Sequence, residues 1–272
     1  MADYKADEHW SEVADKAARR SKRGRLVAGD DAPYYRYKRR LFLEKFLTQI
    51  PTEGRSILEV GCGPGGNLGE LSKRHPRRLA GSDVAPAMVE AARDTYGAEG
   101  VEVVQIDGKT LPFANEEFDV SFTATVLMHN PDSTMVQIVD EMCRITRSSV
   151  YLIEDTFPAP SHPSPKAPTE GTDKGIGDYG SFFSRSPGDY ADACARNGFV
   201  LKDTQFLHTF VSHAMFTFLR TRLDRGRTSE GEGFSRLHWG LETSLQPLTR
   251  QLDRIILRPA GELTLMRFDR MS

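Results

Sequence analysis

The sequence predicts an α/β fold, with a parallel sheet covered by helices on both faces. Three observations carry this expectation. Between residues 55 and 156, short apolar runs alternate with segments of helical period, the order that right-handed crossovers and a parallel sheet require. The first run ends in Gly61-Cys62-Gly63-Pro64-Gly65-Gly66, four glycines within six residues. At 272 residues and 39% hydrophobic, the chain is long enough to bury one large core with a smaller appendage.

The elements follow in order. Trp10, Val13, Ala14 and Ala17 fall at helical spacing and predict a short amphipathic helix around residues 8–20. Tyr37, Leu41, Leu43, Phe46, Leu47 and Ile50 predict a second helix that stops before Pro51. SILEV is the first strand, followed by a helix over GNLGELSKR. RLAGSD is the second strand, and APAMVEAARDTYG is a helix with Pro86 near its start and Gly97 at its end. VEVVQID is the third strand, and FDVSFTATVLMHN opens as the fourth. DSTMVQIVDEMCRIT is a helix with Asp132 or Ser133 as N-cap, and SVYLIEDT is the fifth strand.

Residues 157–180 hold five prolines and four glycines, which predicts a long loop, either disordered or a functional lid. SPGDYADACARNG is a helix capped by Ser186, and FVLKDTQFL is the sixth strand. Two helical stretches, about 211–225 and 240–256, come next, with Pro247 expected to kink or split the second. GELTLMRFDR closes the chain as a strand. The organisation reads as an N-terminal helical arm over residues 1–50, a core over 51–207 and 261–272, and a helical insert over 208–260.

Composition narrows the function. The net charge is −2, with no general pull toward nucleic acid. The ten basic residues between Lys16 and Arg40, against Asp30 and Asp31 alone, read either as a solvated helical arm or as a phosphate-facing surface. Cys62, Cys143 and Cys194 lie far apart without metal-ligand spacing, as expected of reduced thiols in a cytoplasm. The N-terminus is polar and acidic, and no run approaches the ~18 apolar residues of a membrane span. A cytoplasmic protein without a membrane partner is expected.

The glycine run needs a ligand. A turn that drops a strand's end beneath a helix N-terminus exposes N–H groups and leaves space that side chains would fill. Taken as Gly61, Gly63 and Gly66 it satisfies GxGxxG and suits a dinucleotide; taken as EVGCGPG it is Glu59 followed by GxGxG. Asp83, ending the second strand, can accept from both hydroxyls of a ribose in either case. Asp107 ends the third strand.

The motifs LEVGCGPG, GSDVAPAMVEAAR, VQIDGKTLPFANEEFDVSF and VLMHNPD together resemble the class I S-adenosylmethionine-dependent methyltransferases over roughly residues 55–156. The resemblance implies a Rossmann-like, doubly wound sheet of seven strands, with the last strand antiparallel beside the sixth. It implies that Gly61, Gly63 and Gly65 pass under the methionine part of S-adenosylmethionine and that Asp83 binds the ribose. Val84 and Met88 would pack on adenine, Asp107 would accept from its amino group, and Gly108 would lie beside the ring. Thr123 or Ala124 would line the methyl-transfer side.

Glu59 is read two ways, as a brace for the loop or as a contact to the cofactor's ammonium. Cys62 fills a position that needs a small residue. His129 is the candidate general base, against a packing role beneath the next helix; Glu154 and Asp155 are alternatives, against a turn that binds its own backbone. Among Tyr34, Tyr35 and Tyr37, Tyr35 is the candidate to close over the cofactor. His208, His213 and His238 are assigned to the insert. No metal site is required.

Two features depart from the family pattern. ITRSSV replaces a glycine-rich turn, which argues against the best-known quinone and sterol subfamilies. The insert, with Phe210, Phe216, Phe218, Trp239 and Leu245, suggests an acceptor pocket or a homodimer contact. The expected acceptor is a small organic molecule, methylated at oxygen, nitrogen or carbon, in secondary metabolism. The alternatives are an RNA or protein methyltransferase, a non-catalytic sensor of the cofactor, and a nicotinamide oxidoreductase.

Overall fold

The computed structural model describes residues 10–11, 32–156, 183, 185–225, 234–256 and 262–271. The predicted helix at 8–20 is described only at Trp10 and Ser11, which are helical. The 157–180 loop and most of the basic arm lie outside the described residues.

Seven strands form one sheet: β1 (Ser56–Val60), β2 (Arg78–Asp83), β3 (Glu102–Gln105), β4 (Phe118–Ala124), β5 (Thr146–Thr156), β6 (Phe199–Phe206) and β7 (Glu262–Arg270). Their spatial order is β3-β2-β1-β4-β5-β7-β6. β1 to β5 pair in parallel, and β7 lies antiparallel to both β5 and β6. The order reverses between β1 and β4, which opens a crevice at the carboxyl ends of the strands.

Alternate residues of the central strands feed two cores, because both faces of a parallel sheet are covered. Ile57, Phe122, Tyr151 and Leu265 pack with Phe42 of α1 (Pro33–Lys45) and Phe46 at its C-cap, with Leu68 of α2 (Leu68–Leu71) and with Val89 and Ala92 of α3 (Pro86–Tyr96). Leu58, Val60, Leu152 and Met266 pack with Met135 and Met142 of α4 (Asp132–Ile145) and Tyr190 of α5 (Pro187–Ala195). Ser186 caps α5, with a reciprocal bond from Asp189.

Three local expectations are corrected. The N-cap of α4 is Pro131, with no side-chain cap bond. β5 starts at Thr146, directly after α4 ends at Ile145, and not at Ser149. The helix-terminal carbonyls are met otherwise, since Thr146 Oγ1 donates to Met142 O at 2.6 Å and Arg270 donates to Cys143 O at 2.9 Å. Finally, Pro247 does not split the second insert helix, which runs unbroken over Arg236–Ile255.

That helix, α7, pairs with α6 (Phe210–Leu223), and both lie in the chain between β6 and β7. Because β6 runs parallel to β5, α6 leaves the sheet at the edge where β1, β2 and β4 end. Gln246 Nε2 of α7 donates to Pro33 O at 2.6 Å, and Tyr34 bonds Thr209 at 3.4 Å. The insert is thereby pinned to the start of α1.

Candidate active site

The chain after β1 turns under backbone bonds from Gly61 N and Cys62 N to Ser82 O, at 2.7 and 2.9 Å. Gly61, Gly63 and Gly65 all have left-handed φ, at 73°, 51° and 82°. Their surroundings differ. A Cβ on Gly61 would lie 2.3 Å from Val126 Cγ2, and one on Gly65 would lie 2.8 Å from Tyr96 Cδ2. A Cβ on Gly63 would meet nothing within 4 Å. Gly61 and Gly65 are therefore required by packing, and Gly63 faces open space.

Asp83 holds this loop against the second motif. Its Oδ2 accepts from Gly63 N at 2.8 Å, and its Oδ1 accepts from Ala85 N at 2.9 Å. Burial raises its pKa, and the two backbone donors oppose the rise. From the sequence alone an acid at this strand end has little structural purpose; the fold gives it one.

Glu59 is buried, and burial pushes its carboxyl up to about 8. Its Oε1 accepts from Asn67 Nδ2 at 2.6 Å, while Oε2 has no hydrogen-bond partner among the described residues. Asn67 in turn accepts from Arg39 at 2.6 Å. Arg39 was missed in the sequence, where it sits unmarked among basic neighbours. It is the residue of α1 that reaches the loop, whereas Tyr35, one turn earlier, packs on Tyr34 and Phe216. Cys62 is buried and its thiol is pushed up by that burial, so it stays protonated and inert.

On the far side of Asp83, Gly108 (φ 80°) comes against Val84, and a Cβ placed on it would lie 3.0 Å from Val84 Cγ1. Met88 is buried with Ala85, and Trp10 packs against them. Asp107 is exposed, and its Oδ1 closes a turn by accepting from Lys109 N and Thr110 N at 2.8 and 2.7 Å. Those donors lower its pKa.

The segment after β4 closes the other wall. Thr123 is buried, and its Oγ1 has no hydrogen-bond partner among the described residues. Thr125 is a β-branched residue at φ 58°, a conformation that costs of order 1–3 kcal/mol. It is held by its N–H to Ile153 O at 2.8 Å. Glu154 then accepts from Val126 N and Leu127 N at 3.1 Å and from Met128 N at 3.2 Å. Glu154 is thus the brace of a 3₁₀ turn, Leu127–His129, and burial pushes it up to about 7. Asp155 faces Lys38 of α1 at 3.8 Å.

His129 ends that turn, buried, with the Trp10 ring edge-on at a centroid distance of 5.1 Å. Trp10 therefore spans from Met88 to His129, across the two walls. It too was missed, because a single tryptophan in a polar arm carries no positional signal. His213 stacks on Tyr34 at 5.6 Å and His238 lies 5.7 Å from Phe216, both in the insert. Among the described residues, no group of three or more ligating side chains could hold a metal ion.

Residues 57–149 match the family model described as "Methyltransferase domain". A Mycobacterium leprae phthiotriol/phenolphthiotriol dimycocerosates methyltransferase is 40% identical over 74 residues, 27% of each chain. An O-methyltransferase of Penicillium expansum is 28% identical over 130 residues, 46% of this chain and 47% of the other. The matched stretch thus spans less than half the length of either relative. The geranyl diphosphate C-methyltransferase of Streptomyces coelicolor has the same fold, with a TM-score of 0.59 at 14% identity over 97% of this chain and 98% of that one.

The seven-stranded sheet with its antiparallel β7, the glycine loop and the methyltransferase domain matched over residues 57–149 are features of the class I S-adenosylmethionine-dependent methyltransferases, the class that this chain resembles. S-adenosylmethionine is the cofactor of that class, and the residues present fit it. Open space above Gly63 and the orphaned Glu59 Oε2 leave room and a polar atom for an amino-acid tail.

Proposed function

We propose that the chain is an enzyme that moves the methyl group of S-adenosylmethionine to oxygen, nitrogen or carbon of a small organic acceptor. The observation that carries this is the junction of Gly63 and Asp83 at the carboxyl edge of the sheet, with open space above Gly63. When bound, the cofactor supplies a sulfonium methyl already activated for in-line displacement. What remains for the protein is positioning and the exclusion of water.

Each residue takes a part in that task. Gly61, Gly63 and Gly65 form the floor, and Asp83 takes the ribose hydroxyls with the lone pairs its backbone donors leave free. Glu59 and Arg39, joined through Asn67, hold the ammonium and carboxylate of the methionine end. Val84, Met88 and Gly108 hold adenine, with the second oxygen of Asp107 for its amino group. Thr123 lines the transfer side. His129 takes the proton of an acceptor that still carries one, and Trp10 excludes water above it. Tyr35, with α6 and α7, belongs to the cap that receives the acceptor.

The relatives' names, one a methyltransferase of phthiotriol dimycocerosates and one an O-methyltransferase, support a metabolite acceptor and a place in secondary metabolism. Three free, buried cysteines suit a cytoplasmic setting. The test is methyl-labelled S-adenosylmethionine incubated with the protein and a metabolite extract. Label in an organic-extractable small molecule is the expected result, with His129→Asn about 100-fold slower and altered in pH profile. Label confined to RNA or protein would contradict the acceptor class. Cofactor binding without label anywhere would favour a sensor.

A further inference from the structure

The buried side of α7 is polar. His238, Glu242, Gln246, Thr249 and Asp253 recur at steps of four, four, three and four residues, and all are buried. They fix the roll of the helix. Asp253 Oδ1 caps α6 through Val211 N at 2.8 Å, and its Oδ2 accepts from Ser212 Oγ at 2.5 Å. Asp224, at the end of α6, bonds His238 Nδ1 at 2.8 Å. With that stripe turned inward, the apolar stripe is turned out: Leu237 is 60% exposed, Leu241 39%, Leu245 42%, Leu248 57% and Ile255 75%. Phe218 of α6 adds 58%. An amphipathic helix normally does the reverse.

Charge selects the occupant. In the described stretches 210–225 and 234–256 the acids are Asp224, Glu242 and Asp253, and all three are buried. Arg222, Arg225, Arg236 and Arg254 are exposed. Among the described residues, the exposed side of α6 and α7 therefore offers apolar side chains and, of charged groups, arginines alone. A second copy placed symmetrically on this face would oppose arginine to arginine. An anionic bilayer complements it, with leucines entering the headgroup boundary and arginines meeting phosphates.

We propose that this face docks the protein on an anionic lipid surface, with α7 lying in the plane. This revises the expectation of no membrane partner without requiring a span: among the described residues no helix is long and apolar enough to cross a membrane.

The experiment is flotation of the full chain with vesicles of equal parts phosphatidylglycerol and phosphatidylcholine, compared with phosphatidylcholine alone. Binding to the anionic vesicles is expected, at least tenfold weaker on neutral ones and weakened by salt. Leu237→Gln with Leu248→Gln is expected to cost at least about tenfold, and Arg222→Gln or Arg236→Gln about fivefold each. These positions are exposed, and unchanged binding of S-adenosylhomocysteine and an unchanged Tm would verify the fold. Failure to float with anionic vesicles would overturn the proposal, as would equal flotation of the double leucine variant. So would a dimer in light scattering that the double variant converts to monomer.

Discussion

The Asp83 carboxylate accepts from Gly63 N at 2.8 Å with one oxygen and from Ala85 N at 2.9 Å with the other. One side chain thus ties the glycine loop after β1 to the start of α3. Asp83→Ala would orphan two N–H groups and remove the proposed ribose contact together. The expected cost is about 1–3 kcal/mol of stability, with at least tenfold weaker S-adenosylhomocysteine binding. Denaturant titration and calorimetry read the two effects separately. Stability lost with affinity intact would leave Asp83 a structural residue only.

The glycines are expected to separate by neighbour. Gly61→Ala places a methyl group 2.3 Å from Val126 Cγ2, in a left-handed backbone. It should destabilise by about 2–4 kcal/mol, with part recovered in the double variant carrying Val126→Ala. Gly63→Ala meets open space, so it should cost only the φ penalty of about 1 kcal/mol while still impairing cofactor binding. Equal losses of Tm in the two single variants would contradict the packing described for this loop.

Glu59 and Glu154 set a pH dependence. Burial raises them to about 8 and about 7, so the folded state holds their protons more tightly than the unfolded chain does. Their stabilisation is full below the ordinary carboxylate range and is lost as pH rises through those values. For the protein without cofactor, stability should fall from about pH 5 to 8, by up to about 1.4 kcal/mol per unit for each group in its window. Glu59→Gln should flatten the upper part of that fall. A Tm that rises steadily between pH 5 and 8 would contradict the assignment.

Trp10 stands between Met88 and His129, where a cofactor in the proposed site would alter its surroundings. The chain has two tryptophans, so Trp239→Phe isolates the emission of Trp10. Saturating S-adenosylhomocysteine should shift or quench it, and Trp10→Ala should weaken binding about tenfold with little change in Tm. Unchanged emission at saturation would remove Trp10 from the site.

Some of this was legible in the sequence because the chemistry is local. A glycine run ending a strand and an acid ending the next strand are short-range patterns, and the fold brings Gly63 and Asp83 together. Other parts depend on distant partners. Arg39 gains meaning only through Asn67, and Glu154 only through the three N–H groups after β4. The missing glycine turn before β5 is replaced by Thr146 and Arg270, the latter from the far end of the chain. Pro247 reads as a break because propensity is local, whereas α7 is held by long-range bonds along its polar stripe. That same stripe inverts the usual meaning of an amphipathic pattern, which no periodicity can reveal.

The central claim is that the loop after β1 and Asp83 bind S-adenosylmethionine. Calorimetric titration with S-adenosylhomocysteine tests it most directly. A single site of micromolar affinity is expected, lost in Asp83→Ala, with no binding of NAD. Tight NAD binding with no affinity for S-adenosylhomocysteine would contradict it.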